Sequence, residues 1–374
     1  MITVKHVPAA GGNIFARSAQ PGRERRNRTA APKNKSCRPA SLFFFLLSVA
    51  FSGNCAGKQE AAPIDRENGR QYRNPVIGRS APDPTVIRAE NGIFYLYSTE
   101  DIRNVPIYKS SDLVEWQLTG TAFTAETRPR FEPRGGIWAP DINLINGKYV
   151  MYYSMSVWGG EWTCGIGVAV ADSPEGHFTD MGMLFRSNTI GVQNSIDPFY
   201  IEDAGKKYLF WGSFSGIYGI ELSDDGRRIR EGASKQQIAG TAYEGAYIHQ
   251  RGKYYYLFAS VGTCCEGLKS TYTTVAGRSE NLWGPYTDKQ GGKMTDNRHE
   301  TVIRKNEFFV GVGHNSEIVR DDNGDDWILY HGVNVSAPKG RCVLLDRIIW
   351  ENDWPSVAGD SPSATAKAPV FGGN

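Results

Sequence analysis

Apolar and polar residues alternate along this chain in short bursts separated by glycine-centred turns, and no stretch keeps a 3.6-residue hydrophobic period between helix caps. That pattern predicts strands and little helix. Five bursts share one layout: a polar leader, a first strand, a turn glycine and an aromatic second strand. They read APDPTVIRAENGIFYLYST from Ala81, APDINLINGKYVMYYS from Ala139, SIDPFYIEDAGKKYLFWGS from Ser195, YEGAYIHQRGKYYYLFAS from Tyr243 and GHNSEIVRDDNGDDWILYHG from Gly313. The leaders Asp83, Asp141, Asp197, Glu244 and His314 precede the turn glycines Gly92, Gly147, Gly205, Gly252 and Gly324 by six to ten residues. Second strands such as Phe94-Tyr95-Leu96-Tyr97 carry the aromatic residues that suit a half-buried pleated surface.

A third unit follows each hairpin, as in PIYKSSDLVEW, IGVAVADSPEGHF, YGIELSDDGRRI, TVAGRSENLWGPY and, more loosely, RCVLLDRIIWENDWP. Each is an alternating strand ending in Ser or Asp, then a turn and a closing apolar residue. Four short antiparallel strands, repeated every 40 to 70 residues or so, make a radial array. The expected fold is all-β, a five-bladed β-propeller over residues 72–355, with a C-terminal extension over 356–374. The inserts after Trp116 and between Tyr286 and Glu307 are expected as loops shaping the rim.

Five blades stand about 72° apart around one axis, and the innermost strand of each borders a central channel. The repeat sets one polar leader there per blade. Asp83 and Glu244, two steps apart, then face one another across roughly 7.5–9.5 Å, a gap that admits a water and falls in the range of an inverting glycosidase. Asp197 is the neighbour of Glu244 at about 5–6 Å, and its charge favours the protonated acid that proton donation requires. A single Asp-Pro usually marks a turn and nothing more. Recurrence at equivalent places in successive repeats sets Asp83 and Asp197 apart from that reading.

Charge changes the picture at the N-terminus. The 374 residues sum to +2, yet residues 1–55 carry nine Lys and Arg against the single acid Glu24, which leaves 33 basic and 39 acidic residues and a net charge of −6 for the remainder. A body of that sign lacks the clustered cations of a nucleic-acid binder. The basic stretch runs into the apolar SLFFFLLSVAFSG and stops at Cys55, the pattern of an export signal, too short to span a bilayer. Cys55 resembles the lipid-accepting cysteine of a lipoprotein, and residues 56–71 read as a polar tether. The expected location is therefore exported, periplasmic, outer-membrane or extracellular, with possible membrane attachment through Cys55. The other body cysteines, Cys164, Cys264, Cys265 and Cys342, are expected as buried free thiols, with no spacing that suggests zinc.

These motifs resemble glycoside hydrolase family 43, and within it the arabinan endo-1,5-α-L-arabinosidases, over residues 75–355. The resemblance is carried by SAPDP at Asp83, GIWAPDI at Asp141, NSIDPF at Asp197, YEGAYI at Glu244, GHNS at His314 and FASVGTCCEGLKSTYTTVAGRSENLWGPYTDKQG from Phe258. It implies Asp83 as general base, Glu244 as general acid and Asp197 as the residue that tunes and orients the acid, acting with inversion on plant cell-wall arabinan or arabino-oligosaccharides. It also implies calcium on the axis near His314, and no organic cofactor. Trp138 and Trp158 offer faces for sugar rings, and Asp141, Asn194 and Ser195 are candidate hydroxyl partners. His331 reads as a core histidine. Two departures from the family pattern, Asn297-Arg298-His299-Glu300 in place of a glycine-rich segment and Ala246 in place of proline, bear on the groove and leave the carboxylates untouched.

Three other readings compete. An exo-acting α-L-arabinofuranosidase or β-xylosidase would use the same carboxylates, and differs in whether loops block one end of the cleft. A retaining fructan-cleaving propeller would need a nucleophile about 5 Å from the acid. A carbohydrate-binding propeller without catalysis would repeat its pockets on several blades, whereas these leaders are unequal. A monomer is expected.

Overall fold

The computed structural model describes residues 69–372, so the export signal, Cys55 and nearly all of the tether lie outside the described residues. Five antiparallel sheets follow one another along the chain. Blade one comprises Thr85–Arg88, Phe94–Tyr97, Pro106–Ser110 and Gln117–Thr121, and blade two Gly136–Ile145, Lys148–Ser156, Gly165–Ala171 and Thr179–Arg186. Blade three comprises Phe199–Asp203, Lys206–Trp211, Ile217–Glu221 and Gln236–Ala239, and blade four Glu244–Arg251, Tyr254–Val261, Thr273–Ser279 and Glu300–Ile303. In blade five the inner strand is broken by the GHNS segment: Phe309–Gly313 and Ile318–Arg320 both pair with Asp326–Asn334, which is followed by Cys342–Glu351 and Trp354–Val357. The fold is the expected five-bladed propeller. Helix among the described residues is confined to Ser187–Ile190 and three short 3₁₀ turns.

The inner hairpins turn where the pattern of glycines indicates. Asn146-Gly147 and Ala204-Gly205 join strands in two residues, both at positive φ, between the pairs Ile145 with Lys148 and Asp203 with Lys206. Such a turn matches the twist of its strands and needs a left-handed backbone, which glycine adopts freely.

Period-two alternation then decides which blade each side chain packs against. Phe94 and Leu96 cluster with Trp327, Leu329 and Leu345 of blade five, whereas Tyr95 and Tyr97 cluster with Met151, Tyr153 and Phe178 of blade two. Val150 and Tyr152 face Leu209, Trp211 and Ile220 of blade three. Successive side chains of a strand point to opposite faces, so the second strands have to be apolar on both. The core consequently lies between blades and leaves the axis to polar residues.

The ring is closed by both ends of the described chain. Gln71–Arg73 pairs antiparallel with Thr365–Lys367, and Ile77 bridges Val343. The buried Asn74 amide donates to the Leu345 and Ser363 carbonyls and accepts from the Leu345 amide. Residues 356–374, expected as an extension, therefore contribute a closing strand. Their composition of small residues, mostly Ala, Ser and Gly, hides this, because a three-residue strand carries too little alternation to be read.

Loops at the mouth are pinned by buried ions. The Arg128 guanidinium pairs with the Glu100 carboxylate, both nearly inaccessible, and also donates to the Gly135 carbonyl. Glu100 accepts in turn from the amides of Asn104 and Ile137. Arg128→Ala strands a buried carboxylate and should reduce stability by about 3–5 kcal/mol. Thermal unfolding measures it, and an unchanged melting temperature would contradict the assignment.

Candidate active site

The head of each inner strand passes through a left-handed residue: Asp83 (φ 55°), Ala139 (φ 39°), Asp197 (φ 59°), Gly245 (φ 58°) and His314 (φ 48°). For residues other than glycine this conformation costs on the order of 1 kcal/mol or more, and it collects at functional sites. It turns the strand into the channel and aims Asp83, Asp197 and His314 at its mouth. Gly245 is required by space as well, since a Cβ there would stand 3.0 Å from the His314 ring.

The same geometry corrects the reading of Asp141. In blade two Ala139 holds the place of Asp83, and Asp141 sits two residues on, in the place of Thr85. Asp141 is buried below the mouth, where it accepts from the Tyr200 amide at 2.9 Å and the Asn143 amide group at 2.7 Å. Beside it lies Glu317, which accepts from the Thr85 hydroxyl at 2.7 Å and the Val86 amide at 2.6 Å. Burial raises both carboxyl pKa values, and the charge of Glu317 raises that of Asp141 further, so the pair holds a proton. A group whose pKa is raised on folding stabilises below its unfolded value and loses that contribution as pH rises through the folded one. Melting temperature should therefore fall as pH rises above the ordinary carboxyl range, and less steeply in Asp141→Asn. Parallel curves for the two proteins would oppose a shared proton.

At the mouth, Asp83 accepts from Arg341 at 2.8 Å through Oδ1 and from the Thr99 hydroxyl at 2.6 Å through Oδ2. His331 Nδ1 stands 3.1 Å and His314 Nδ1 3.4 Å from Oδ1. Burial pushes the Asp83 pKa up, but Arg341 and the two imidazoles outweigh it and hold the carboxyl well below its usual range. Burial drives His331 down to about 4 and His314 down as well, so near neutral pH the opposing charge is that of Arg341. Asp83 is a carboxylate at any working pH.

Asp197 and Glu244 are tuned the other way. Asp197 is raised well above the usual range, by burial and then by the charges of Glu244 and Asp83, although its Oδ2 accepts from the Gly245 amide at 3.1 Å. Glu244 is raised chiefly by burial and further by Asp83, against the Ser213 and Tyr272 hydroxyls and Arg341. Ser213 donates to its Oε2 at 2.7 Å. Burial, more than the charge of Asp197 expected from the sequence, raises the Glu244 carboxyl. One site thus contains an ionised carboxylate and a pair that retains a proton.

All three carboxyls line one cavity of about 1140 Å³, together with His314, Arg341, Asn194, Trp138 and Trp158. The two indoles lie 5.6 Å apart, and Trp158 is 81% exposed. Asn194 donates to the Ser213 hydroxyl at 2.9 Å and so braces a partner of Glu244. Ser195 is corrected: it is fully buried, donates to the Val192 carbonyl and accepts from the Trp211 indole, a strut behind the site. His331 is fully buried, as read, yet also touches Asp83. Sequence reasoning missed Arg341, Thr99, Ser213 and the exposed Phe214, all in the lining. They lie in the segments that follow the second strands of blades one and three or precede Cys342–Glu351, outside the strands that bear the leaders, and no spacing marks them.

The cysteines are corrected in part. Cys164 and Cys342 are buried and free, but Cys264 and Cys265 form a disulfide with each other and line the cavity. For calcium, which takes six to eight oxygens, the protein side offers the single nitrogen of His314, and no cluster of three ligating side chains occurs among the described residues, so an ion there would draw its oxygens from water. No step is assigned to a metal.

Three carboxyls around a propeller mouth, one ionised beside a guanidinium and a pair raised by burial, with indole faces alongside, are the equipment of a glycoside hydrolase. The chain belongs to glycosyl hydrolases family 43, whose sequence profile matches residues 72–355. It is 34% identical over 304 residues to an extracellular exo-α-(1→5)-L-arabinofuranosidase of Cellvibrio japonicus, covering 74% of this chain and 85% of that protein. It is likewise 34% identical over 290 residues to an extracellular endo-α-(1→5)-L-arabinanase of Bacillus subtilis, covering 73% and 86%. A Cellvibrio cellulosa α-L-arabinanase solved with arabinohexaose superposes with a TM-score of 0.69 at 33% identity, over 75% of this chain and 96% of that one.

Proposed function

We propose that this protein hydrolyses internal α-1,5-L-arabinofuranosidic linkages of arabinan with inversion. The observation that carries the mechanism is the opposite tuning of two carboxyls in one cavity. Asp83, ionised beside Arg341, takes a proton from water as it attacks the anomeric carbon, and Glu244, its pKa raised chiefly by burial, donates to the leaving oxygen. Asp197 holds the Gly245 amide and with it the strand head that bears Glu244. Charge develops on the sugar as an oxocarbenium-like transition state, and no covalent intermediate forms.

Two features support arabinan and internal cleavage. Relatives with 34% identity act on α-1,5-linked arabinose by name, and the cavity exceeds the roughly 300–1,000 Å³ that holds one drug-sized ligand. Exo action is the second reading, favoured by the name of the Cellvibrio relative. Linear debranched arabinan, an aryl α-L-arabinofuranoside and an aryl β-D-xyloside decide among them. Mixed oligosaccharides are expected from arabinan, with the β-anomer appearing first by proton NMR. Monosaccharide alone would replace endo by exo, first release of the α-anomer would remove inversion, and no turnover would revive a binding-only propeller.

Export is part of the same proposal. It is supported by the basic and apolar run that ends at Cys55 and by the extracellular relatives, and lipid attachment at Cys55 and a monomeric state go with it.

A further inference from the structure

The Cys264–Cys265 disulfide sits in an unusual setting for a structural crosslink. It joins neighbours and so closes no loop of the chain, and a crosslink stabilises by the loop it closes. It lines the cavity with Cys265 exposed and Cys264 half-buried. Its loop is held rigid at both ends. At the neck, Thr263 and Thr271 bond through their hydroxyls at 3.2 Å, and the Thr271 and Tyr272 amides donate to the Thr263 carbonyl at 3.0 Å. At the far side, the buried Ser270 hydroxyl donates to the Cys264 carbonyl at 3.2 Å and accepts from the Glu266 amide at 3.0 Å. Ser270 seats against Gly311, where a Cβ would stand 2.6 Å from its own. Two glycines thus make room for the loop, since a Cβ on Gly262 would meet the Thr271 carbonyl at 2.8 Å.

We propose that this disulfide is a substrate-binding platform that receives the C–H face of a sugar unit away from the scissile bond. The inference rests on the arabinan reading. The disulfide adds two polarisable sulfurs without a hydrogen-bond donor, an apolar patch in an otherwise polar stretch, and sulfur packs well on C–H surface. Blades two and four are two steps apart, so the platform stands across the mouth from Trp138 and Trp158, and a sugar chain passes between the indoles and the sulfurs. A fixed loop binds without an ordering cost, which favours affinity over mobility.

The test compares an arabinohexaose with an aryl arabinofuranoside too short to reach the loop. In Cys264→Ser/Cys265→Ser, KM for the hexaose should rise about tenfold, the factor for losing roughly 50 Å² of apolar burial, and kcat should fall far less. The ratio of kcat/KM between long and short substrates should drop by the same factor. Reducing the native enzyme with a dithiol, which becomes a cyclic disulfide as two cysteine thiols form, should reproduce the shift, with two further thiols titrating in the folded protein. Reduction thereby decides the matter if the double variant fails to fold. An unchanged ratio in an enzyme whose native form cleaves arabinan would overturn the platform, as would equal loss on both substrates. Native protein inert on arabinan would instead overturn the functional reading beneath it.

Discussion

Glu244→Gln lowers hydrolysis of linear arabinan by about 10²–10⁴-fold, the range for removing a general acid. The carboxyl is buried against Ser213, and an amide of the same shape accepts the same bond from that hydroxyl at 2.7 Å, so folding is retained. An alkoxide leaving group needs the proton that Gln cannot give, whereas a nitrophenolate leaves without it. The loss should therefore be much smaller on a nitrophenyl arabinofuranoside. The same group sets the alkaline limb of the native pH profile. Its pKa is raised, chiefly by burial and then by the charge of Asp83, so activity persists above the ordinary glutamate value near 4.3 and falls as the acid, coupled to Asp197, loses its proton. Equal losses on both substrates, or an alkaline limb at the unperturbed value, would take the acid role from Glu244.

Asp83→Asn is expected to remove activity on both substrates alike, again by about 10²–10⁴-fold or more, because water must be activated whatever group leaves. Its second consequence is structural. Arg341, His314 and His331 converge on this carboxylate, and the guanidinium is left without its counter-charge in a mostly buried site. The melting temperature should fall with the activity, unlike that of Glu244→Gln. The paired comparison separates the two carboxyls: one variant discriminates between leaving groups and stays stable, the other does neither. A variant that keeps a tenth of native turnover on arabinan would remove Asp83 as the base.

Much of this arrangement is legible in the chain, and the misreadings have a common cause. The five hairpins were visible because alternation and turn glycines are local, and the same local pattern located Asp83, Asp197, Glu244 and His314. Asp141 was misplaced because APD in blade two resembles APD in blade one letter for letter, while the left-handed residue is Ala139 in one and Asp83 in the other. A shift of two positions along the inner strand moves a side chain from the mouth to the layer beneath. Ser195 was misassigned because adjacency to Asp197 in sequence is not adjacency in the cleft.

What the sequence alone determined is the number of blades, the strand order within them and the residue types at the heads of the inner strands, since these depend on side-chain period and turn chemistry over a few residues. The tertiary structure decided which groups meet. Arg341 reaches Asp83 from 258 positions away, the closing strand pairs Gln71 with Lys367, and two neighbouring cysteines become one apolar surface facing a cleft. The ionisation states belong to that second class. A carboxyl pKa answers to burial and to charges a few ångströms off in space, and a propeller assembles both from blades that lie far apart along the chain.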